Sequence, residues 1–216
     1  MRIKDKLRGY RHTFEDYEKF IDNLYDDGCK FEKMVNRTNH IALIHDIDHD
    51  INKAVRLAEI EYNNGVQSTY YVITTRFYPF WRKTYDYRKE IEKIKYIQSL
   101  GHEIGFHNDL LTLDAKKGIS AKDELRKVLD FFYDNGINIF SSHAHGSRWC
   151  RKNNQNNSSL WNYYWFRTHF IYNADEMIRY ARGYYSDCRN WKPKYGIDTQ
   201  NAIILTHPCW FGDRSE

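Results

Sequence analysis

The chain has 216 residues, a length that suits one domain with a sizeable core and falls short of two ordinary domains plus a linker. With 41% hydrophobic and 29% charged residues, 3 prolines and 11 glycines, it is neither a disordered tail, a membrane bundle nor a collagen-like or linker-rich chain. The net charge of +4 is spread over 33 basic and 29 acidic residues, and the small cluster Arg148, Arg151 and Lys152 does not make a nucleic-acid surface.

In chain order, Thr13 and Asp16 form a capping-box pattern that opens a helix to about Tyr25, closed by Asp26, Asp27 and Gly28. HIALI at 40–44 reads as a buried strand. INKAVRLAEIEYNNG then places Ile51, Ala54, Val55, Ala58 and Tyr62 on one helical face, with Gly65 as the stop. STYYVIT at 68–74 is a β-branched and aromatic strand. A helix follows over residues 87–100, and HEIGF at 102–106 is the third strand. Ser120 and Asp123 cap a helix to Tyr133, and INIFSS at 137–142 is the fourth strand. RKNNQNNSS at 151–159 reads as a polar loop, and LWNYYWF at 160–166 carries no clear period. A short helix near 174–182, a weak strand at 183–186 and a clear one, AIILT at 202–206, complete the chain.

Strand–helix units of this length imply parallel strands with right-handed crossovers. Continuously apolar strands imply a sheet covered on both faces, as in a barrel or doubly wound fold. A complete eight-fold barrel takes about 250 residues. The expectation is therefore one α/β domain over 1–216, a distorted or incomplete barrel of parallel strands, with residues 1–35 as a helical extension. No apolar run approaches the roughly 20 residues that span a bilayer. The N-terminal segment lacks the apolar core of a signal peptide, and Cys29, Cys150, Cys188 and Cys209 are scattered as free thiols would be. A cytoplasmic setting is expected.

Chemistry in parallel α/β folds gathers at the carboxyl ends of the strands. There IALI runs into HDIDHD at 45–50, HEIGF into His107, Asn108 and Asp109, IFSS into HAHG at 143–146, and IILT into HPCW at 207–210. Of the 10 histidines, His45, His49, His107, His143, His145 and His207 lie at this rim. Histidine nitrogens with a carboxylate oxygen suit zinc or another first-row divalent ion. A second carboxylate can take a proton from water and a histidine opposite can protonate a leaving group. If the first strand continues through Ile47, Asp46 and Asp48 face the same side, so that one can bind an ion while the other handles water. These parts describe a metal-assisted hydrolase of amides or esters. The aromatic share of 17% suits stacking on sugar rings as well as core filling.

At these residues the chain resembles the polysaccharide deacetylases (carbohydrate esterase family 4, the NodB-homology domain), over roughly residues 40–211. IALIHDID looks like the family's strand ending in paired aspartates, GHEIGFHND like its GHEIG-x-H segment, and ILTHP like its closing strand. HDID, EIGFH, HGS at 145–147 and HPCW look like a variant branch with an HD-x-D motif. The resemblance implies a distorted (β/α)7 barrel that removes an acetyl group from an N-acetylated sugar or sugar nucleotide. The setting it implies is surface-polysaccharide or O-antigen biosynthesis. By it, Asp46 is the general base, Asp48 and His107 bind the metal, zinc in the first instance, and His207 is the general acid. The family's second metal histidine falls on Leu111. The third ligand is expected from His145, with His143 second and Asp109 as a possible oxygen ligand. Substrate contacts are expected from His143, Arg148, Asp187, Trp191 and Trp210. Leu111 also raises an alternative, a non-catalytic carbohydrate-binding protein on the same scaffold; a deacylase for another amide or ester is a further one. Neither nucleic acid nor a membrane span is expected.

Overall fold

The computed structural model describes residues 12–37, 39–48, 50–74, 87–187 and 201–213. Its frame is a sheet of β1 (Ile41–Ile47), β2 (Thr69–Ile73), β3 (Glu103–Asn108), β4 (Ser141–Ala144), β5 (Tyr172–Asn173), β6 (Gly183–Ser186) and β7 (Ala202–Thr206). The strands lie in the order β5-β4-β3-β2-β1-β7-β6, and neighbours pair parallel throughout. Phe31–Glu32 adds a short pairing beside the start of β1. The sheet curls into a half-barrel, the incomplete barrel of parallel strands expected from the strand–helix rhythm and consistent with the distorted (β/α)7 barrel that the resemblance implies.

Helices α1 (Phe14–Asp26), α2 (Ile51–Asn63), α3 (Ile91–Ser99), α4 (Leu110–Lys117), α5 (Ala121–Asp134), α6 (Arg148–Lys152), α7 (Tyr164–Arg167) and α8 (Ala174–Tyr180) accompany it. The capping box of α1 forms: the Asp16 amide donates to Thr13 Oγ1 at 3.0 Å and the Thr13 amide to Asp16 Oδ2. Helical spacing puts Phe14, Tyr17, Ile21 and Leu24 on one face. They pack with Ile41 and Leu43 of β1, Leu57 of α2 and Ile204 of β7. The N-terminal helix is thus part of the core.

Strand alternation sorts residues to the two faces of the sheet. Tyr70, Val72, Ile104 and Phe106 turn outward to the helices. Ala42, Ile44, Tyr71, Ile203 and Leu205 turn inward, where Met34 and Ala174 join them. Helix α8, which connects the two edge strands β5 and β6, packs Met177 and Ile178 on this inner cluster and so fills the gap in the half-barrel. A polar layer lies on the same face: Glu103 accepts from Ser141 Oγ at 2.7 Å, Thr69 Oγ1 at 2.9 Å and the Val35 amide at 3.0 Å. Burial pushes the Glu103 carboxyl above its usual range, against these donors.

Three departures from the sequence reading have local causes. INIFSS yields a strand only from Ser141, because Ile137 packs back on the end of α5 and Phe140 spends its carbonyl on the amides of Ile171 and Tyr172. The helix expected over 87–100 begins at Ile91. LLTLDAKK, for which no element was expected, forms α4 and ends at Gly118 in the left-handed region (φ 61).

Two observations lead to stability tests. The Tyr71 ring lies across Gly105, its register partner, so that a Cβ there would sit well inside van der Waals contact with the ring. Gly105→Ala is expected to destabilise by about 1–3 kcal/mol, read by urea unfolding. On the outer face the wholly buried Glu61 accepts from Tyr17, from Ser68 Oγ at 2.6 Å and from Tyr70 at 2.8 Å, and faces His45 Nε2 at 2.7 Å. Burial alone would raise its pKa. The neighbouring His45 and His102 and the hydroxyl donors outweigh it and hold the carboxyl at about 2, against 4.5 unperturbed. A depressed folded-state pKa means stability that is complete above about 4.5 and lost as pH falls toward about 2. Glu61→Gln is expected to lower stability at pH 7 and to flatten the acid limb between those values. An acid limb as steep as in the unaltered chain contradicts the assignment.

Candidate metal centre

Inward alternation on β1, β3 and β4 aims Asp46, His107 and His143 into the half-barrel at the carboxyl ends of their strands, and β7 delivers His207 just past its end. Asp48 and His145 follow two residues after Asp46 and His143. Register explains the meeting, because His107 pairs with His143 and with Ile73, and β1 lies next to β2. Asp46, His107, His143, His145, Asp187 and His207 are all buried.

Three ligand atoms converge at one point. His107 Nε2 stands 3.0 Å from His145 Nδ1 and 3.4 Å from Asp48 Oδ1, and His145 Nδ1 stands 3.3 Å from the same oxygen. A small divalent ion bonded at about 2.05 Å with tetrahedral geometry separates its ligands by about 3.3 Å. Asp48 Oδ1 is buried and makes no hydrogen bond. The other nitrogen of His107, Nδ1, donates to the His143 carbonyl at 3.1 Å, which leaves the Nε2 lone pair directed at the cluster. The residues present therefore fit a cation. Burial pushes the Asp48 carboxyl up, but His107 and His145 beside it hold it well below the usual range. Burial likewise lowers His145, and Asp48 more than restores it, to a net rise.

Asp46 makes a second group with His107 and His143. Its Oδ1 faces His143 Nδ1 at 2.9 Å. Its Oδ2 lies 3.5 Å from His107 Nε2 and 3.7 Å from His207 Nε2. Against the effect of burial, His107, His143 and His207 hold the Asp46 carboxyl at about 2. Burial works against the His143 charge as well, but Asp46 prevails and raises it to about 9, so an imidazolium faces a carboxylate at neutral pH. His207 is fixed by Asp187, which accepts from its backbone amide at 2.5 Å and from Nδ1 at 2.7 Å. That leaves His207 Nε2 pointing toward Asp46 Oδ2.

The sequence-derived site residues fall into two sets. Asp46, Asp48, His107, His143, His145 and His207 come together. Leu111 packs against the apolar core, and His145 stands with Asp48 and His107 in a group that could hold an ion. Asp109, the possible oxygen ligand, is engaged elsewhere: its Oδ1 accepts from Thr112 Oγ1 and from Asn157 Nδ2 at 3.1 Å. Asp187, expected at the substrate, has a fully buried side chain behind His207. Trp210 packs partly buried against the outer cluster around α1. Arg148 is exposed in the first turn of α6. Trp191 lies outside the described residues.

Two residues of the centre were not singled out from the sequence. Asn157, inside the polar loop, donates to the His145 carbonyl at 2.8 Å and accepts from the Leu111 amide at 3.0 Å, fixing the turn that carries His145. Asp175, in the first turn of α8, accepts from the Ala144 amide at 3.1 Å and stands 3.9 Å from His143 Nε2. Repeated asparagines around residue 157 and the cap-like NADE at 173–176 were the available hints.

The sequence matches no protein-family model and no curated protein. Asp48→Ala, His107→Ala and His145→Ala are each expected to weaken binding of a divalent ion by more than about 100-fold, beyond the effect of losing an outer-shell partner. Isothermal titration with zinc checks this, and full affinity in any one of them removes that residue from the ligand set.

Proposed function

We propose that this protein is a metal-dependent hydrolase that removes an acetyl group from an N-acetylated sugar, of the polysaccharide-deacetylase kind that its motifs resemble. The observation that carries the reading is the opposition of Asp46 Oδ2 and His207 Nε2, 3.7 Å apart, beside the cluster of Asp48, His107 and His145. Zinc is the ion favoured by two imidazoles and one carboxylate in a compact set. When bound, it supplies Lewis acidity toward the acyl carbonyl and acidifies water.

The remaining chemistry belongs to side chains. Asp46, ionised across the working range, accepts a proton from the attacking water through Oδ2. Its low basicity would suffice only for water that a bound ion acidifies. Water oxygen bonds to the acyl carbon as the proton passes to Asp46. His207 then donates from Nε2 to the departing nitrogen as the C–N bond breaks, giving acetate and a free amine. Asp187 holds the His207 ring in the orientation that presents Nε2. The sugar substrate and a place in surface-polysaccharide or O-antigen assembly rest on the sequence resemblance and on the aromatic content. A carbohydrate-binding protein without catalysis was suggested by Leu111. That reading loses its motive where His145 supplies the ligand atom. Among the described residues no helix is long and apolar enough to cross a membrane.

Acetate release from N-acetylated oligosaccharides and sugar nucleotides by the zinc-loaded chain tests the reading. Asp46→Asn is expected to keep its zinc and lose turnover by about 100-fold or more. Full turnover in that variant overturns the base assignment, and no acetate from any N-acetylated sugar with the unaltered chain overturns the function.

A further inference from the structure

The clamp on Asp46 adds a role that the reaction scheme above, on which it rests, does not contain. We infer that His143, braced by Asp175 from the closing helix α8, is a positioning residue for Asp46 and not a cation ligand. Both ring nitrogens of His143 face carboxylate oxygens, Nδ1 toward Asp46 Oδ1 at 2.9 Å and Nε2 toward Asp175 Oδ1 at 3.9 Å. Nδ1, the nitrogen that faces the group, spends its proton on Asp46 and has no lone pair there for an ion, while Nε2 turns away toward Asp175. The group of Asp46, His107 and His143 is therefore a hydrogen-bonded clamp. The neighbouring group built on Asp48, whose Oδ1 lacks any hydrogen bond, is where a cation sits.

The clamp has a direct consequence for Asp46. With Oδ1 held by His143, the carboxylate presents only Oδ2 to His107 and His207. Released, it can rotate about its Cβ–Cγ bond and turn toward an ion in the adjacent cluster, becoming a ligand instead of a base. His143 is itself well held. Its ring packs against that of Tyr71 with centroids 5.3 Å apart, its carbonyl takes the His107 Nδ1 proton, and Asp175 is tied to the next residue by the Ala144 amide. Helix α8 thus does more than cover the open side of the half-barrel: its first turn fixes the geometry of the base.

The test compares His143→Asn, whose amide nitrogen can replace Nδ1 as a donor, with His143→Ala in the full chain. Zinc affinity and the visible absorption of the cobalt-substituted protein are measured beside kcat and KM. Both variants are expected to keep about one equivalent of zinc, with affinity within about 10-fold of the unaltered chain and an unchanged cobalt spectrum. The alanine variant is expected to lose about 100-fold in kcat with little change in KM, and the asparagine variant to recover most of that loss. Loss of zinc and of the cobalt bands in the asparagine variant makes His143 a ligand and overturns the inference. Equal losses of kcat in both variants, or a loss confined to KM, overturn the positioning role. If the unaltered chain releases no acetate, the hydrolytic reading fails by itself, and the zinc and cobalt measurements still decide whether His143 is a ligand.

Discussion

A carboxylate oxygen sealed from water without a hydrogen bond is among the least favourable arrangements in a folded chain, with a penalty of several kcal/mol unless an opposite charge compensates it. Asp48 Oδ1 is in that position, faced by two imidazoles whose nitrogens stand 3.3 and 3.4 Å away. A core built for stability alone would place an apolar residue there. Keeping the charge requires either protons on both rings or a cation among the three atoms, and the near-tetrahedral spacing suits the cation. The fixed tautomer of His107 and the turn held by Asn157 serve to hold those atoms in that geometry, while the clamp on Asp46 holds the neighbouring carboxylate.

The half-barrel makes such a concentration possible at modest cost. Parallel strands all end on one rim, and alternation gives each strand one inward residue at its last turn of pleat. β1 shows both consequences at adjacent positions. His45 turns outward to Glu61 and to Thr206 Oγ1 at 2.6 Å, locking β1 against β7 and α2, while Asp46 turns inward to the centre. The buried polar network outside and the acidic centre inside are two sides of one strand. The outer lock fixes the register on which the separation of Asp46 and His207 depends. The small space at Gly105, crossed by the Tyr71 ring, belongs to the same economy, because that ring carries His143 from below.

Much of this was legible in the sequence because both faces of the sheet are covered. Covered strands read as continuous apolar runs, as IALI and AIILT do, and the abrupt change to His and Asp at their ends marks the rim. The continuation of β1 through Ile47 set Asp46 and Asp48 on one side, as the alternation required. What stayed hidden depends on contacts far apart in sequence. His145 and His143 could not be told apart from a spacing of two. They differ in their partners, because His143 meets Asp46, 97 positions away, and Asp175. Asn157 stood in a loop without periodicity. Trp210, expected at the substrate beside His207, packs partly buried against the outer cluster. INIFSS misled because its isoleucines pack as a connector, and only from Ser141, whose hydroxyl meets Glu103 and Tyr71, does the segment enter the ladder.

The claim that most else depends on is a cation held by Asp48, His107 and His145. Anomalous diffraction at the zinc absorption edge, from crystals of the zinc-loaded chain, measures it directly. The account predicts one strong peak bonded to His107 Nε2, His145 Nδ1 and Asp48 Oδ1, with the His143 ring still hydrogen-bonded to Asp46. A peak bonded to His143, or density showing the three atoms joined only by hydrogen bonds in zinc-saturated crystals, contradicts it.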